Sequence, residues 1–340
     1  MPLDPYHLTP NASINRVKLM SAPGLPQAWK GKTAYQVIGR ETLVQRISEA
    51  FPELSSQADP IPVFSEQYLA QKVPAAEAIA DEMGLALGCL LLILKQGEAA
   101  NREARPEWDD SYWAQWGSIQ HIILGGGIMT SLLGSYMLAK ASEMLKGLMA
   151  LTIADYPAAL PLIGAARMAT ELTNSAWVFD FGGTSVKRGH ASYANGKLMT
   201  LEQLPSILMP VSHEANNLFN FMVEVIVSTV SKQTDRYTAL SVNASIANYV
   251  QQCHLASDTS YGRLQVLGED FCHILSEAVS AKVGTHINLA LVHDGTAAAK
   301  VYAGAVDTAV ITIGTALGMG FPPPNHDLHQ LSKAFTIQAR

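Results

Sequence analysis

The distribution of hydrophobic and polar residues predicts strands that alternate with helices along most of the chain. Short apolar runs typical of buried strands occur at residues 119–124, 177–179, 237–242, 287–292 and 306–313. Helical spacing of apolar residues predicts helices at 75–100, 215–231 and 268–281. Strands that alternate with helices indicate an α/β protein.

Further elements follow from local signals. The dipeptide Asn195-Gly196 between two β-prone runs predicts a hairpin of residues 185–193 and 198–201. Additional helices are predicted after Gly39 and at residues 65–72 and 157–170. Residues 1–32 and 102–116 are expected to be loop-like connections.

One predicted strand, residues 177–179, leads an acidic residue into a glycine turn. Asp180 follows the strand directly, and Gly182, Gly183 and Thr184 form the turn before a second β-prone run. Glycine lets backbone amides approach phosphate oxygens because no Cβ stands in the way, and the carboxylate can hold hydrated Mg²⁺. The pattern favours a phosphate site, while an ordinary hairpin turn with a locally hydrogen-bonded Asp is the alternative.

Three other predicted strands also end in small or acidic residues, and ligands bind beyond the carboxyl ends of strands in open α/β sheets. Residues 306–313 run into Gly314 and Thr315, which offer a second set of amides for phosphate. Residues 119–124 end in a triple glycine that suits a ribose or a flat ring, but equally suits tight packing. Its members are Gly125, Gly126 and Gly127.

The third such strand, residues 287–292, is followed by His293 and Asp294. Asp294 has two interpretations. It is either the N-cap of the next helix, a position that Asp fills well, or a general base that accepts the proton of a hydroxyl attacking a phosphate. We expect His293 to be a hydrogen-bonded structural residue.

The composition narrows the class of protein. The chain of 340 residues has 23 basic and 29 acidic side chains, a net charge of −6, which gives no support for nucleic-acid binding. Three widely spaced cysteines without a CxxC pair support neither a disulfide framework nor a cysteine zinc site. No signal-peptide pattern or bilayer-spanning apolar run is present. We therefore expect a cytoplasmic protein without a membrane partner.

Together these stretches resemble the motifs of the ROK-type sugar kinases, in the superfamily of actin, sugar kinases and heat-shock chaperones. VFDFGGTSVKRG is similar to the first phosphate motif, DxGGTxxK/R, and ITIGTALGMG to the second, GTGxGGG. ALVHDGTAAA resembles the stretch with the catalytic aspartate, HIILGGGI the adenosine motif, and PAALPLIGAARMA the C-terminal helix. The resemblance implies a two-lobed actin-like ATPase fold of the ribonuclease H-like type, with an interlobe nucleotide cleft.

The motifs stand in a permuted order, because the adenosine motif and the last helix precede the first phosphate motif instead of ending the chain. This order implies a circular permutation, which is tolerated where the original termini lie close together at the surface. One lobe, with the first phosphate motif and the acceptor, would comprise residues 156–295. The other, with the second phosphate and adenosine motifs, would combine residues 1–155 with 296–340.

The resemblance implies a carbohydrate kinase that uses ATP and Mg²⁺ and transfers the γ-phosphoryl group to a sugar hydroxyl. Asp294 would be the general base and Asp180 would lie near Mg²⁺. Lys187 would neutralise developing charge or, like most exposed lysines, only be solvated. The other site residues would bind the phosphates (Gly182, Gly183, Thr184, Gly314, Thr315), the adenosine (Gly125, Gly126, Gly127) and the acceptor (Asn243, Ser245, Asn248).

The chain also departs from the family pattern. Ala316 and Met319 stand where the second phosphate motif often has glycine, and neither the ExGH sugar motif nor the zinc-binding cysteines are recognisable. These departures favour an alternative, a nucleotide-binding regulatory or assembly protein with little or no kinase activity. Homo-oligomerisation is left open. Near the end of the chain, a polar cluster is either a solvated tail or an acceptor contact: Asn325, His326, Asp327 and His329.

Overall fold

The computed structural model describes residues 4–169, 174–210, 214–231, 239–257, 260–325 and 327–339. These residues form two compact units, each assembled from separate stretches of the chain. The first unit comprises residues 4–5, 11–160 and 306–321. The second comprises residues 6–10, 161–305 and 322–339.

Helices and strands alternate as the hydrophobic pattern predicts, and the α/β class is confirmed. The helices are α1 (Ala34–Ile38), α2 (Arg40–Ala50), α3 (Pro60–Val63), α4 (Pro74–Gln96), α5 (Ala99–Glu103), α6 (Asp110–Ser118), α7 (Leu132–Met144), α8 (Leu160–Ala166), α9 (Ala215–Val230), α10 (Phe271–Val283) and α11 (Asp294–Lys300). The strands are β1 (His121–Gly125), β2 (Ala150–Ile153), β3 (Ser175–Phe181), β4 (Ser185–Ala194), β5 (Lys197–Leu208), β6 (Ala239–Ile246), β7 (Val250–Gln251), β8 (His254–Leu255), β9 (His286–His293), β10 (Thr308–Ile313), β11 (Leu317–Gly320) and β12 (Gln330–Ala339).

The first unit contains a sheet with the strand order β11-β10-β1-β2. Strand β1 is parallel to both β10 and β2, whereas β11 is antiparallel to β10 and forms a hairpin with it. All residues of β10 are buried, which explains its continuous apolar character. Helix α4 contacts α7 and is apolar on nearly every side through its second half, where residues 86–94 are all buried.

The second unit contains a sheet with the strand order β12-β5-β4-β3-β6-β9. Strands β3, β4 and β5 form an antiparallel meander, and β6 and β9 continue the sheet parallel to β3. Phe179, Phe181, Val242 and Ile246 lie on one face of this sheet and form a core with apolar residues of α9 and α10. Because successive strand residues point to opposite faces, the residues between them face the other side.

The two sheets share a connection pattern. In the second unit, β3 has an antiparallel hairpin partner, β4, on one side and two strands parallel to it, β6 and β9, on the other. In the first unit, β10 has the same arrangement, with β11 as its hairpin partner and β1 and β2 as its parallel strands. Strands β3 and β10, which precede the two predicted phosphate turns, therefore hold corresponding positions in different sheets.

The units differ from the predicted lobes at residues 6–10 and 156–160 and, more extensively, in the last part of the chain. Residues 296–305 and 322–339 belong with the second unit, and of the predicted range 296–340 only 306–321 lies with the first. The reason is local: α11 continues directly from β9, and β12 pairs in parallel with β5. The alternating pattern of this last strand is too polar to be recognised as a strand from sequence.

Several smaller predictions are corrected. Residues 102–116, predicted to be a connection, contain the end of α5 and most of α6, whose N-cap Asp109 accepts a hydrogen bond from the amide of Tyr112 at 2.9 Å. Strand β6 extends to Ile246, so Asn243 and Ser245 lie inside the strand and not at its end. Within the described residues, no helix combines the length and apolar character needed to span a bilayer.

The cysteines also differ from expectation, because Cys253 and Cys272 form a disulfide. Their separation of 19 residues does not reveal the pairing; the chain returns through a 3-10 helical segment, Ser260–Leu267, to the start of α10. The amide of Phe271 also donates to the carbonyl of Cys253 at 3.1 Å. Cys89 is free, and burial raises the pKa of its thiol to about 11.

Candidate active site

A row of three polar side chains crosses the second sheet near the end of β3. Asp180 on β3 is opposite Lys187 on β4 and Ser245 on β6. The Asp180 carboxylate is 3% exposed; its Oδ1 accepts a hydrogen bond from Ser245 Oγ at 2.8 Å and its Oδ2 lies 3.3 Å from Lys187 Nζ. Lys187 thus forms an ion pair with Asp180. The interpretation of Lys187 as a merely solvated lysine is therefore wrong.

Asn243 lies two residues before Ser245 and therefore on the same face of β6. The side chain is 3% exposed, and its Nδ2 has no hydrogen-bond partner among the described residues. A buried amide that lacks a partner costs free energy, on the order of 1–3 kcal/mol. A polar ligand bound on this face, beside Ser245 and Asp180, would offer an acceptor to this unpaired donor.

Asp294 is the first residue of α11 and follows β9, the strand next to β6. Its N-cap interpretation is wrong, because His293 is the N-cap and its Nδ1 accepts a hydrogen bond from the amide of Thr296 at 3.2 Å. With Nδ1 accepting, the ring proton is on Nε2, which lies 3.1 Å from Asp294 Oδ1. The amide of Gly295 donates to the same oxygen at 2.7 Å. The hydrogen bond from Gly295 thus goes to Oδ1, and Oδ2 accepts none from the described residues.

The electrostatics of Asp294 set it apart from an ordinary surface carboxylate. Burial, and then the negative charge of Asp180, raises the pKa of Asp294 to about 7, while the Gly295 amide and the charge of Lys187 oppose the rise. Burial lowers the pKa of His293 to about 3, so the imidazole is neutral. The ring also stacks on Tyr249, with centroids 4.4 Å apart.

The predicted first phosphate turn joins β3 to β4. The amide of Gly182 donates to the carbonyls of Asp180 at 3.0 Å and Ser185 at 3.2 Å, so it is already used within the turn. Gly183 and Thr184 are exposed, and their amides donate to none of the described residues. The two amides that remain accessible to an anion are therefore those of Gly183 and Thr184.

The predicted second phosphate turn and the triple glycine lie side by side in the first unit. Gly126 has a φ of +92°, and a Cβ there would collide with the backbone of Ile313, the last residue of β10. A Cβ on Gly125 would collide with the side chain of Leu160, whereas one on Gly127 would meet nothing within 4 Å. Tight packing thus accounts for Gly125 and Gly126.

The turn after β10 consists of Gly314, Thr315 and Ala316 and leads into β11. The Gly314 amide donates to the carbonyl of Ala316 at 3.1 Å, and Thr315 is exposed at the tip. The structure therefore brings Gly127, Gly314 and Thr315 to the same end of one sheet, since Gly125 is paired with Thr312 in the register of β1 and β10.

The predicted acceptor contact Asn248 and parts of the polar cluster near the end of the chain have structural roles instead. The Asn248 amide is buried and pairs with both backbone groups of Ala256, each at 2.9 Å. Near the end of the chain, Arg167 donates to Asn325 Oδ1 at 2.8 Å and to the carbonyl of His329 at 2.6 Å. His329 is buried, so the solvated-tail interpretation does not hold for it either. Asp327 is exposed, and His326 lies outside the described residues.

The residues near Asp180 fit Mg²⁺ bound together with a polyphosphate. Mg²⁺ in such sites usually takes one or two carboxylates and completes its shell with phosphate oxygens and water. Asp180 offers one carboxylate, and its Oδ2 is shared only with a partly exposed lysine at 3.3 Å. Among the described residues, the set of three potential metal ligands within 4.8 Å of one another is Cys253, Asp270 and Cys272, and its two cysteines form the disulfide.

Comparisons with known proteins give little further information. No protein-family model matches the chain, and no curated protein matches it. Among solved structures, the inorganic polyphosphate/ATP-glucomannokinase from Arthrobacter sp. strain KM is similar over 43% of this chain and 57% of its own, with 21% sequence identity and a TM-score of 0.32. Similarity at this level establishes neither fold nor function.

Sequence reasoning missed Tyr261, whose hydroxyl donates to the carbonyl of Gly182 at 3.0 Å. The residue lies in the 3-10 helical segment 260–267 and is completely buried. No sequence signal identifies it, because the contact joins two loops 79 residues apart.

Proposed function

We propose that the chain is an ATP-dependent phosphotransferase that acts on a hydroxyl group, with a sugar or sugar derivative as the acceptor. The observation that carries this proposal is the environment of Asp294. Its Oδ1 accepts the Gly295 amide and lies 3.1 Å from the neutral His293 ring, its Oδ2 accepts from none of the described residues, and its pKa of about 7 suits a general base at neutral pH.

In this mechanism, Asp294 accepts the proton of the acceptor hydroxyl as that oxygen attacks phosphorus. The Gly295 amide orients the carboxylate by donating to Oδ1 at 2.7 Å, and Nε2 of the neutral His293 ring lies 3.1 Å from the same oxygen. Asp180 would hold Mg²⁺, and Lys187, whose Nζ lies 3.3 Å from Asp180 Oδ2, would neutralise the negative charge that develops on the transferred group. Bound Mg-ATP supplies the transferable γ-phosphoryl group. Most of the rate enhancement would come from positioning and electrostatic stabilisation.

The acceptor would meet the polar face of β6. Asn243 Nδ2 is the buried donor that lacks a partner, and the Ser245 hydroxyl, which donates to Asp180, can still accept. A sugar offers hydroxyl groups of both kinds and little apolar area, so directed polar contacts of this type suit it. Asn248 is not part of this set, because its amide is paired with Ala256.

The nucleotide would be bound by the glycine turns. The amides of Gly183 and Thr184 are the donors for one group of phosphate oxygens, and the amide of Thr315 is assigned to a second group, because that of Gly314 already donates to Ala316. Of the triple glycine, Gly127 is assigned to the adenosine, while its two neighbours give the turn its shape.

The connection pattern of the sheets supports the proposed circular permutation within the actin-like ATPase superfamily. Read along the chain, the first sheet is built in the order β1, β2, β10, β11. Joining the two ends of the chain would change this order to β10, β11, β1, β2, which corresponds to β3, β4, β6, β9 in the second sheet.

The decisive experiment is to incubate the protein with Mg-ATP and a panel of sugars and to follow ADP release. We expect release that depends on one class of sugar and that is lost in Asp294→Asn with little change in the affinity for ATP. If no sugar stimulates ADP release, the proposal that the acceptor is a sugar is wrong.

The second candidate function is a nucleotide-binding regulatory or assembly protein without efficient phosphotransfer. The specific observation in its favour is that both oxygens of Asp180 already have protein partners, Ser245 and Lys187. This candidate predicts ATP binding in the same experiment, with ADP release that is slow and unaffected by Asp294→Asn.

A further inference from the structure

The buried hydroxyl of Tyr261 lies against the predicted first phosphate turn. It is 3.0 Å from the carbonyl oxygen of Gly182 and 3.2 Å from Met209 Sδ. A phenol has one proton, and a carbonyl oxygen is a far better acceptor than a thioether, so the proton goes to Gly182. Burial raises the pKa of Tyr261, and the charges of Asp180 and Asp294 raise it further, so the phenol remains a donor.

The hydrogen bond fixes the orientation of the whole Gly182–Gly183 peptide and not only that of the Gly182 carbonyl. The C=O of Gly182 and the N–H of Gly183 belong to the same planar peptide, and in a trans peptide they point in opposite directions. Cis peptide bonds are absent from the described residues. Holding the oxygen of Gly182 on Tyr261 therefore directs the N–H of Gly183 away from the core, where it donates to no described residue.

Tyr261 also restrains a peptide that its two glycines make flexible. A peptide with glycine on both sides rotates readily because neither residue has a Cβ that restricts φ and ψ. Without an anchor, the Gly182–Gly183 peptide would sample orientations in which its N–H is not available to a ligand. Tyr261 provides that anchor from inside the unit.

The segment that carries Tyr261 is itself held at both ends. The disulfide between Cys253 and Cys272 encloses it, and the amide of Phe271 donates to the carbonyl of Cys253 at 3.1 Å. Within the segment, Gln265 Nε2 donates to the carbonyl of Leu255. These restraints keep the phenol at a fixed distance from the turn.

We propose that Tyr261 is a positioning residue that aims the N–H of Gly183 at a phosphate oxygen of the nucleotide. This inference rests on the proposed function, because it concerns how that site recognises phosphate. Tyr261 does not touch the ligand; it acts through the Gly182–Gly183 peptide.

The test compares Tyr261→Phe with a matched control, Tyr193→Phe. Tyr193 is also buried, and its hydroxyl also donates to a backbone carbonyl, that of Ala166 at 2.6 Å, away from the site. Each variant is titrated with Mg-ATP and with adenosine by calorimetry, and its ¹H–¹⁵N spectrum is recorded without ligand. The adenosine titration separates loss of phosphate recognition from general loosening of the fold.

We expect Tyr261→Phe to weaken Mg-ATP binding by about ten- to 150-fold, the effect of losing one hydrogen bond to a charged group. Its affinity for adenosine should stay within about twofold, and the Gly183 amide resonance should move. Tyr193→Phe should change neither the nucleotide affinities nor that resonance. Equal Mg-ATP affinities in the two variants, with an unmoved Gly183 resonance, would overturn the inference.

The failure of the proposed function would look different. If the wild type binds neither Mg-ATP nor adenosine, the proposed function is wrong, and the Gly183 resonance alone decides whether Tyr261 orients the peptide. If Tyr261→Phe does not fold, the inference is tested on the wild-type protein instead. A slowly exchanging hydroxyl proton of Tyr261 in water supports the hydrogen bond to Gly182, and its absence overturns it.

Discussion

Replacing Asp294 with Asn tests the central residue of the proposed site, because the substitution removes the charge and keeps the shape. The carboxylate has a pKa raised from 3.8 to about 7, mainly by burial. A general base of this kind contributes about a hundred- to ten-thousandfold to the rate. We expect a loss of that size in turnover, with the affinity for Mg-ATP nearly unchanged.

The same substitution should stabilise the fold above neutral pH. Since the pKa is higher in the native state than in the unfolded chain, ionising Asp294 costs stability, and the cost appears as the pH rises from about 4 to about 7. The full shift corresponds to about 4 kcal/mol. Because the side chain is 25% exposed, solvent screens its charge. We therefore expect the substitution to raise the free energy of unfolding at high pH by about 1–2 kcal/mol.

The assay is a pair of profiles against pH. Wild-type turnover should rise with pH and level off above about 7, and Asp294→Asn should lose this dependence. Its melting temperature should exceed that of the wild type at about pH 9 and match it near pH 4. Asp270→Asn is the control, because Asn caps a helix as well as Asp does. A variant that is less stable at high pH, or that retains its turnover, would refute the reasoning.

Three further predictions concern neighbouring parts of the fold. Lys187→Met removes a positive charge that lowers the pKa of Asp294, so the rise of turnover should shift to higher pH. Gly126→Ala should destabilise the first unit by about 2–4 kcal/mol in a melting or urea experiment, because its backbone is left-handed and crowded, whereas Gly127→Ala should be tolerated. Arg167→Met removes several donors to buried backbone carbonyls and should make the β12 end of the chain sensitive to limited proteolysis within minutes; unchanged protection would contradict its structural role.

The elements near the site could be predicted because their signals are local. An apolar run followed by Asp180 and glycines predicts a buried strand and a turn, and β3 with its turn has that form. The same holds for β9 and Asp294. The parallel pairing of β3, β6 and β9 then places their carboxyl ends at one edge, so the acidic residues meet without any further signal.

The other features could not be predicted because they depend on contacts between distant segments. Asn248 resembles a site residue in sequence, but its amide is occupied by Ala256. Tyr261 has no local motif, and its role depends on the fold of the whole 253–272 segment. In sequence Asp294 is ambiguous between cap and base, and the structure excludes only the cap, because the adjacent His293 fills that position.

The interleaving of the two units has a consequence for folding during synthesis. Strand β10 pairs with β1 in the middle of the first sheet, yet the ribosome produces it after most of the second unit. Until residue 321 has emerged, β1 has an unpaired edge, and such edges attract other chains. Pairings between segments so distant in sequence also form slowly. We therefore expect the core of the second unit, whose residues lie between 177 and 291, to form before that of the first, and nascent chains that stall before residue 306 should require a chaperone to remain free of aggregates.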